Sequence, residues 1–481
     1  MRLKNFCCGL ALLFFAMPFW LFAQSLPSGT TFDARFSAAS GSRISHSGDT
    51  IDATVISPLT WQGNIAIPQG SVVRGRVEHA VALGLGLKHR TARIQYRFTV
   101  LELANGQTVP IRAELVKMET AKERVDPNGV VVGVHPGANL SSASAYYTLP
   151  LVLANPAWGL PFWGVKSLIA PSTSPEIYFP AGTEFVLRLI EPLDISGLPL
   201  ASPAISSFSV EEIADFRKQL RSSHACARSG KQLSDRVNLV MVGTRQEIDR
   251  AFESAGWVTA EGRSPVSLYR MYNALTKRVG YRRAPMKVLS LNGKLADFVY
   301  QKSLNDVAAR HHARFWKQSS ESDVWFGTAT EDVALCFRRM HWTHRINPEI
   351  DSERAKIVND LAYTGCVDSA SLLSREPSRV PSVTTDGAIA LVQFNHCEHP
   401  KVMPGVDTQN ASRPERWLPR VITSFRDDVM RSNPVFSAYN TVRCLAGKTG
   451  LRATEQGVST AETVPRLDWV RGPQRAEAGT N

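Results

Sequence analysis

The chain has 481 residues, 43% of them hydrophobic, and a formal net charge of +12, which is enough for two or three ordinary domains with cores of their own. The first 200 residues hold 16 Lys and Arg against 13 Asp and Glu, so +9 of the surplus belongs to residues 201–481. In an exported protein such a basic half fits anionic lipid, cell-wall polymer or another envelope protein as partner, and not nucleic acid. Export is what the first segment predicts. "MRLKNFCCGLALLFFAMPFWLFAQS" places Arg2 and Lys4 before an apolar run that ends near Leu21-Phe22-Ala23, the pattern of a signal peptide over residues 1–23. Pro18 interrupts the run, and the imperfect cleavage pattern leaves an uncleaved anchor open as the alternative to a periplasmic or envelope location.

Residues 26–194 read as an all-β module, a barrel or a sandwich. "TVPIRAELVKM" alternates apolar and polar residues, and "ARIQYRFTVLEL" is rich in β-branched and aromatic ones. The phrases beginning at Pro27, Pro68 and Pro180 each set proline, then glycine two residues on, then Ser or Thr, which predicts a turn opening a strand. "LPLVLANPAWGLPFWGVKSLIAP" is apolar but carries Pro156 and Pro161, and is expected to be a buried or membrane-touching loop. "GLGLKH" has glycines without the strand-to-helix setting of a phosphate loop.

Residues 195–208, rich in Ser, Pro and Gly, read as a linker. Beyond them the period changes to that of a mixed α/β domain over 209–450, so the chain as a whole is α+β. Ser209 with Glu212 and Thr244 with Glu247 have capping-box spacing, and each precedes an amphipathic helix. A third helix is expected with Asn347 as cap and Pro348 in its first turn, and a fourth over "SRPERWLPRVITSFRDDVMRSNP". Candidate strands are "DRVNLVMVGT", "APMKVLSLNG", "RHHARFW", "DVWFGTA" and "AIALVQF"; residues 451–481 read as a disordered tail. Outside the signal the cysteines are Cys226, Cys336, Cys366, Cys397 and Cys444. In an oxidising compartment they allow two disulfides and one thiol of undetermined pairing, and their spacing excludes a zinc ribbon.

"DRVNLVMVGTRQEIDRAFESAGW", "YRRAPMKVLSLNGKLADFVYQK", "RHHARFW", "VWFGTATEDV", "HRINPEIDSERAKIVNDLAYTGCV" and "TDGAIALV", in this order, resemble the LssY-like C-terminal domain family of bacterial proteins over residues 233–447. The resemblance implies an appendage of envelope proteins, in some relatives joined to membrane segments of the phospholipid-phosphatase or DedA type. It implies no established reaction and carries no catalytic residue over.

Candidate chemistry centres on "RHHARFW". As a strand it turns Arg310, His312, Arg314 and Trp316 to one side and His311, Ala313 and Phe315 to the other. His311 reads as a buried, hydrogen-bonded imidazole. His312 between two arginines reads either as a platform for phosphate or carboxylate or as a solvated basic face. The string also resembles the Arg-His-Gly-x-Arg of histidine phosphatases, with His312 in place of the glycine. A hydrolytic alternative gathers His311 or His312 with His341, His344, Asp332 and Asp351 as general acid–base groups or metal ligands, without the spacing of a known metal motif. Asp351 with Arg354 equally reads as an i,i+3 ion pair, and "NHCEH" is a further loose ligand cluster. The expectation is an exported envelope protein that binds an anionic ligand through Arg310, His312, Arg314, Trp316 and Arg354. The alternative is a periplasmic phosphoesterase acting through His311 or His312. No metal or cofactor is assigned.

Overall fold

Three Pro-x-Gly turns start the barrel strands. Gly29, Gly70 and Gly182 have φ of 88°, 87° and 87°, and the hydroxyls of Thr30, Ser71 and Thr183 each donate to the carbonyl of the proline three residues back. The computed structural model describes residues 24–83, 91–120, 122–134, 154–169, 174–200, 207–222, 226–229, 232–277, 279–304, 307, 309–338, 341–374, 384–404 and 467. The expected signal peptide, "GLGLKH", the expected fourth helix and Cys444 lie outside these residues.

The strands β1 (Thr31–Phe36), β2 (Thr50–Val55), β3 (Val72–Val81), β4 (Arg93–Glu102), β5 (Thr108–Met118) and β8 (Glu184–Leu189) are hydrogen-bonded in the order β4-β3-β2-β1-β8-β5. Because β5 also pairs with β4, the sheet closes on itself. The module is therefore a six-stranded antiparallel barrel, and β7 (Val130–Val132) and β6 (Arg124–Val125) form a flange on β4. Its inward residues include Phe36, Phe98, Leu101, Leu115 and Phe185. The interstrand alternation seen in the sequence is what fills a small barrel with side chains.

Helix α1 (Pro156–Ile169) corrects the expected loop. Pro156 sits in the first turn, where its missing N–H costs nothing, and the chain continues helical through Pro161. Trp158, Leu160, Phe162 and Val165 stand 75, 54, 53 and 54% exposed on it. Among the described residues no helix is long and apolar enough to cross a membrane. In the expected linker, Ile195 and Leu198 are buried in the barrel core.

The C-terminal half is built on a seven-stranded sheet of order β12-β15-β16-β17-β11-β20-β19. These are Val258–Thr259 (β12), Phe298–Ser303 (β15), Arg310–Lys317 (β16), Val324–Arg338 (β17), Leu239–Val242 (β11), Ile389–Phe394 (β20) and Val367–Leu373 (β19), with His341–Ile346 (β18) added to β17. The β11–β20 pair is parallel and the others antiparallel.

On one face lie α3 (Arg245–Ser254) and α5 (Ile350–Tyr363), with Phe252, Trp257, Phe315 and Leu361 in the core between. On the other lie α2 (Val210–Ser222) and a small sheet, β10-β9-β13-β14, of Gln232–Arg236, Cys226–Ser229, Ser290–Leu291 and Lys294–Leu295. They cover Trp316, Phe326 and Leu391. Helix α4 (Pro265–Lys277) and strand β15 had no counterpart among the expected elements.

The capping boxes at Ser209/Glu212 and Thr244/Glu247 form as the spacing predicts. The cap at Asn347 does not: α5 begins at Ile350, and Asn347 instead donates to Glu331 and accepts from the amide of Glu349. "APMKVLSLNG" forms a strand only at Ser290–Leu291. Leu467, the one described residue of the tail, is 7% exposed and packs into the helix-side core.

Candidate functional site

Strand β16 divides two buried clusters of polar side chains. Its alternation is as the sequence predicts, since His311 shares the helix side with Ala313 and Phe315. The basic side is corrected: Arg310, His312, Arg314 and Trp316 are only 3, 2, 6 and 2% exposed. The small sheet meets Arg314 and Trp316, while Gln301 of β15 and Asp332 of β17 meet Arg310 and His312. Arg314 donates to Asp235 of β10 at 2.7 Å, Arg310 to Gln301 at 3.2 Å, and the Trp316 indole to the Lys294 carbonyl at 3.0 Å.

In register along this side, Arg310 faces Asp332, His312 faces Thr330 and Arg314 faces Thr328. His312 Nε2 lies 2.7 Å from Asp332 Oδ2, and His344 Nδ1 lies 3.2 Å from the same oxygen. Of the catalytic candidates whose side chains are described, His312, Asp332 and His344 thus converge. Burial pulls His312 down to about 4 despite the Asp332 carboxylate, so the imidazole is neutral at pH 7. Burial favours the neutral acid at Asp332, but His312, His344 and Arg310 hold it down at about 2. Among the described residues, Arg310 Nε, His312 Nδ1, Arg314 Nε and Thr328 Oγ1 are buried without a hydrogen-bond partner.

Asp351 stands apart. It forms the i,i+3 pair with Arg354 at 2.9 Å and accepts from Thr385 and the amide of Asp386. Arg354 does not face an external ligand as expected; it is 4% exposed and its terminal nitrogens bind Asp351, Asp386 and the Ala388 carbonyl. In "NHCEH" the Cys397 sulfur is consumed in a disulfide with Cys366, while His396 and His399 are exposed. The side chains of His341, Cys226 and Cys336 lie outside the described ones.

On the helix side, His311 Nδ1 lies 2.7 Å from Glu353 of α5, and Nε2 points at Glu119, 3.6 Å away, just past the end of barrel strand β5. Burial would lower His311, but Glu353 and Glu119 raise it to about 10. Lys117 holds Glu119 well below the usual carboxylate range against its burial. Beside it, Glu184 of β8 binds Arg35, Lys302 and Lys356, and Lys302 and Lys356 also contact Asp360. Burial would raise Glu184, yet Lys302, Lys356 and Arg35 keep it far down. Barrel and C-terminal half are joined through this buried ion network and through Gln69, which donates to the Asn359 carbonyl at 3.1 Å.

Residues 219–388 match the family model described as LssY C-terminus. This part of the chain is an LssY C-terminal domain. The match starts before and ends well before the span of 233–447 that the motifs suggest, and it contains both clusters' residues on β16, β17 and α5. No curated protein matches the chain. The chain is similar to the solved structure of ComB10 of the Com type IV secretion system of Helicobacter pylori, at 12% identity over 35% of this chain and 89% of that one, with a TM-score of 0.21. A likeness of that size carries no argument.

Sequence reasoning missed Glu119, Glu331, Glu353 and Asp235. Glu331 had a readable signal: it precedes Asp332 in "TATEDV", and strand alternation sets it on the side opposite Asp332. Asp235 and Glu119 reach the LssY sheet from the small sheet and the barrel, and no local spacing announces that.

Proposed function

We propose that this is an exported cell-envelope protein whose LssY domain binds a phosphate or carboxylate group over the Arg310–His312–Arg314 ladder. The observation that carries the reading is the set of buried donors without partners on that ladder: Arg310 Nε, Arg314 Nε and Thr328 Oγ1. Each such group costs about 1–3 kcal/mol when left unsatisfied, and three on one patch of sheet call for a bound group or ordered water. Asp235 and Gln301 hold the outer guanidinium nitrogens, so the remaining N–H donors are fixed before a ligand arrives. Export is supported by the Cys366–Cys397 disulfide and the leader-like N-terminus. Membrane contact, with anionic lipid as the partner, is supported by the exposed Trp158, Leu160, Phe162 and Val165 of α1 and by the net charge of +12.

A phosphoesterase is the second reading, favoured by the Asp332–His312 pair. With Nε2–H donating to Asp332, the free Nδ1 of a neutral imidazole is an acceptor for the proton of an attacking water. Titration calorimetry with inorganic phosphate and acetate, beside hydrolysis of p-nitrophenyl phosphate and its diester, separates the two. Binding without turnover, weakened in Arg310→Lys and Arg314→Lys, supports the ligand-binding reading. Turnover lost in His312→Asn supports the hydrolase. A folded protein with neither binding nor turnover overturns both.

A further inference from the structure

We infer that Glu119, His311 and Glu331 form a divalent-metal site that staples the barrel to the LssY domain. The site lies on the opposite face of β16 from the anion ladder and does not depend on it. One ligand atom from each of the three residues lies within 4.8 Å of the other two. A first-row ion with bonds of about 2.1 Å draws its ligands to about 3–4 Å from one another, so closure needs only small side-chain movements. His311 and Glu331 face each other across the β16–β17 ladder, and Glu119 arrives from the barrel, tied by its amide to the Glu184 carbonyl at 3.0 Å.

Each donor is oriented from behind. Glu353 takes His311 Nδ1 at 2.7 Å, which turns Nε2 toward Glu119 Oε2. Lys117 holds the other oxygen of Glu119 at 2.7 Å, and Asn347 donates to Glu331 Oε2 at 2.7 Å. The independent pointer to a ligand is His311 Nε2 itself. The residue is 2% exposed, and the nitrogen has no hydrogen-bond partner among the described residues although it is aimed into the carboxylates. A carboxylate behind an imidazole whose far nitrogen is unoccupied is how proteins present histidine to a metal. One imidazole nitrogen with two carboxylate oxygens suits Mn²⁺, Fe²⁺ or Zn²⁺, and neither Cu⁺ nor an iron–sulfur cluster. The ion replaces the proton on Nε2, which leaves to solvent, and water completes its coordination.

The test is metal analysis and calorimetric titration of the full chain with Zn²⁺ and with Mn²⁺ after chelator extraction. The expected result is one ion per chain, a raised Tm, and loss of the bound ion in Glu119→Gln and Glu331→Gln. Glu353→Gln should weaken affinity about 10- to 100-fold. Asp235→Asn, on the opposite face, should leave affinity unchanged. Absence of binding by the wild type, or equal binding by folded Glu119→Gln and Glu331→Gln, overturns the site. If those variants do not fold, anomalous scattering at the zinc edge from crystals of wild type grown with Zn²⁺ decides it: a peak between the three residues supports the site and a peak elsewhere refutes it.

Discussion

Lys302 Nζ of the LssY domain lies 2.9 Å from Glu184 Oε1 of barrel strand β8 and 2.6 Å from Asp360 Oδ2 of α5. Arg35 and Lys356 close on the same Glu184 carboxylate, so one buried anion holds three cations from both halves. Removing one member of such a cluster leaves unpaired charge in the interior and costs about 3–5 kcal/mol. Glu184→Gln should lower the free energy of unfolding by that amount in denaturant titration. A change below about 1 kcal/mol would show that the network is not what joins the halves.

Asp33 of β1 has the opposite effect on stability. Burial raises it to about 6, only partly offset by Lys356 and by the Ser57 hydroxyl that donates to it at 3.0 Å. Its folded value exceeds the unfolded 3.8, so its contribution is fully present below pH 3.8 and is lost as pH rises through 6. The shift is equivalent to about 3 kcal/mol, trimmed to about 2 by the partial exposure of the side chain. Asp33→Asn, which keeps the acceptor for Ser57, should therefore stabilise the protein at pH 7 and not at pH 3.5. Equal Tm changes at both pH values would contradict this.

Gly327 makes room for Phe315. A Cβ there would meet the Phe315 ring at 2.5 Å and Leu239 Cβ at 3.1 Å, and Phe315 is wholly buried and stacked on Phe298 with centroids 5.1 Å apart. Gly327→Ala should cost about 1–3 kcal/mol by overpacking, measured by thermal unfolding against wild type. Unchanged stability would mean that the ring has room to shift.

The Cys366–Cys397 disulfide spans 31 residues between the end of α5 and the chain beyond β20. Closing a loop of that size stabilises by about 3–4 kcal/mol. Unfolding with and without dithiothreitol should differ by that amount in the wild type and not in Cys366→Ser. A reductant effect that persists in the variant would assign the stabilisation to another cysteine pair.

If α1 meets a membrane, replacing Trp158 and Phe162 together by serine should reduce binding to phosphatidylglycerol-containing vesicles by more than about 10-fold, since each aromatic contributes about 1.5–3 kcal/mol when buried. Vesicle flotation of wild type and variant reads this directly. Equal flotation removes the helix from consideration.

Strand alternation made the two faces of "RHHARFW" legible, and Ser/Thr-x-x-Glu spacing made the helix starts at 209 and 244 legible, because both signals are local. The burial of Arg310 and Arg314 was not legible. A row of cations on a strand reads as solvated unless the covering layer is known, and here the cover includes Asp235, more than seventy positions upstream, within a small sheet too short to show periodicity. The cluster around His311 was illegible for the same reason at longer range, because Glu119 belongs to the other half of the chain. Asn347 misled for a different reason: the carboxylate of Glu331 drew its amide away from the helix end.

Barrel closure also governs assembly of the two halves. The last pair between β5 and β8 joins Met118 to Phe185, and Glu119 follows directly. A slip of one residue in that pairing would carry Glu119 about 3.3 Å along the strand and turn its side chain to the opposite face, leaving His311 with a cationic ring and one fewer counter-charge. A misregistered barrel would thus present the wrong surface to its neighbour.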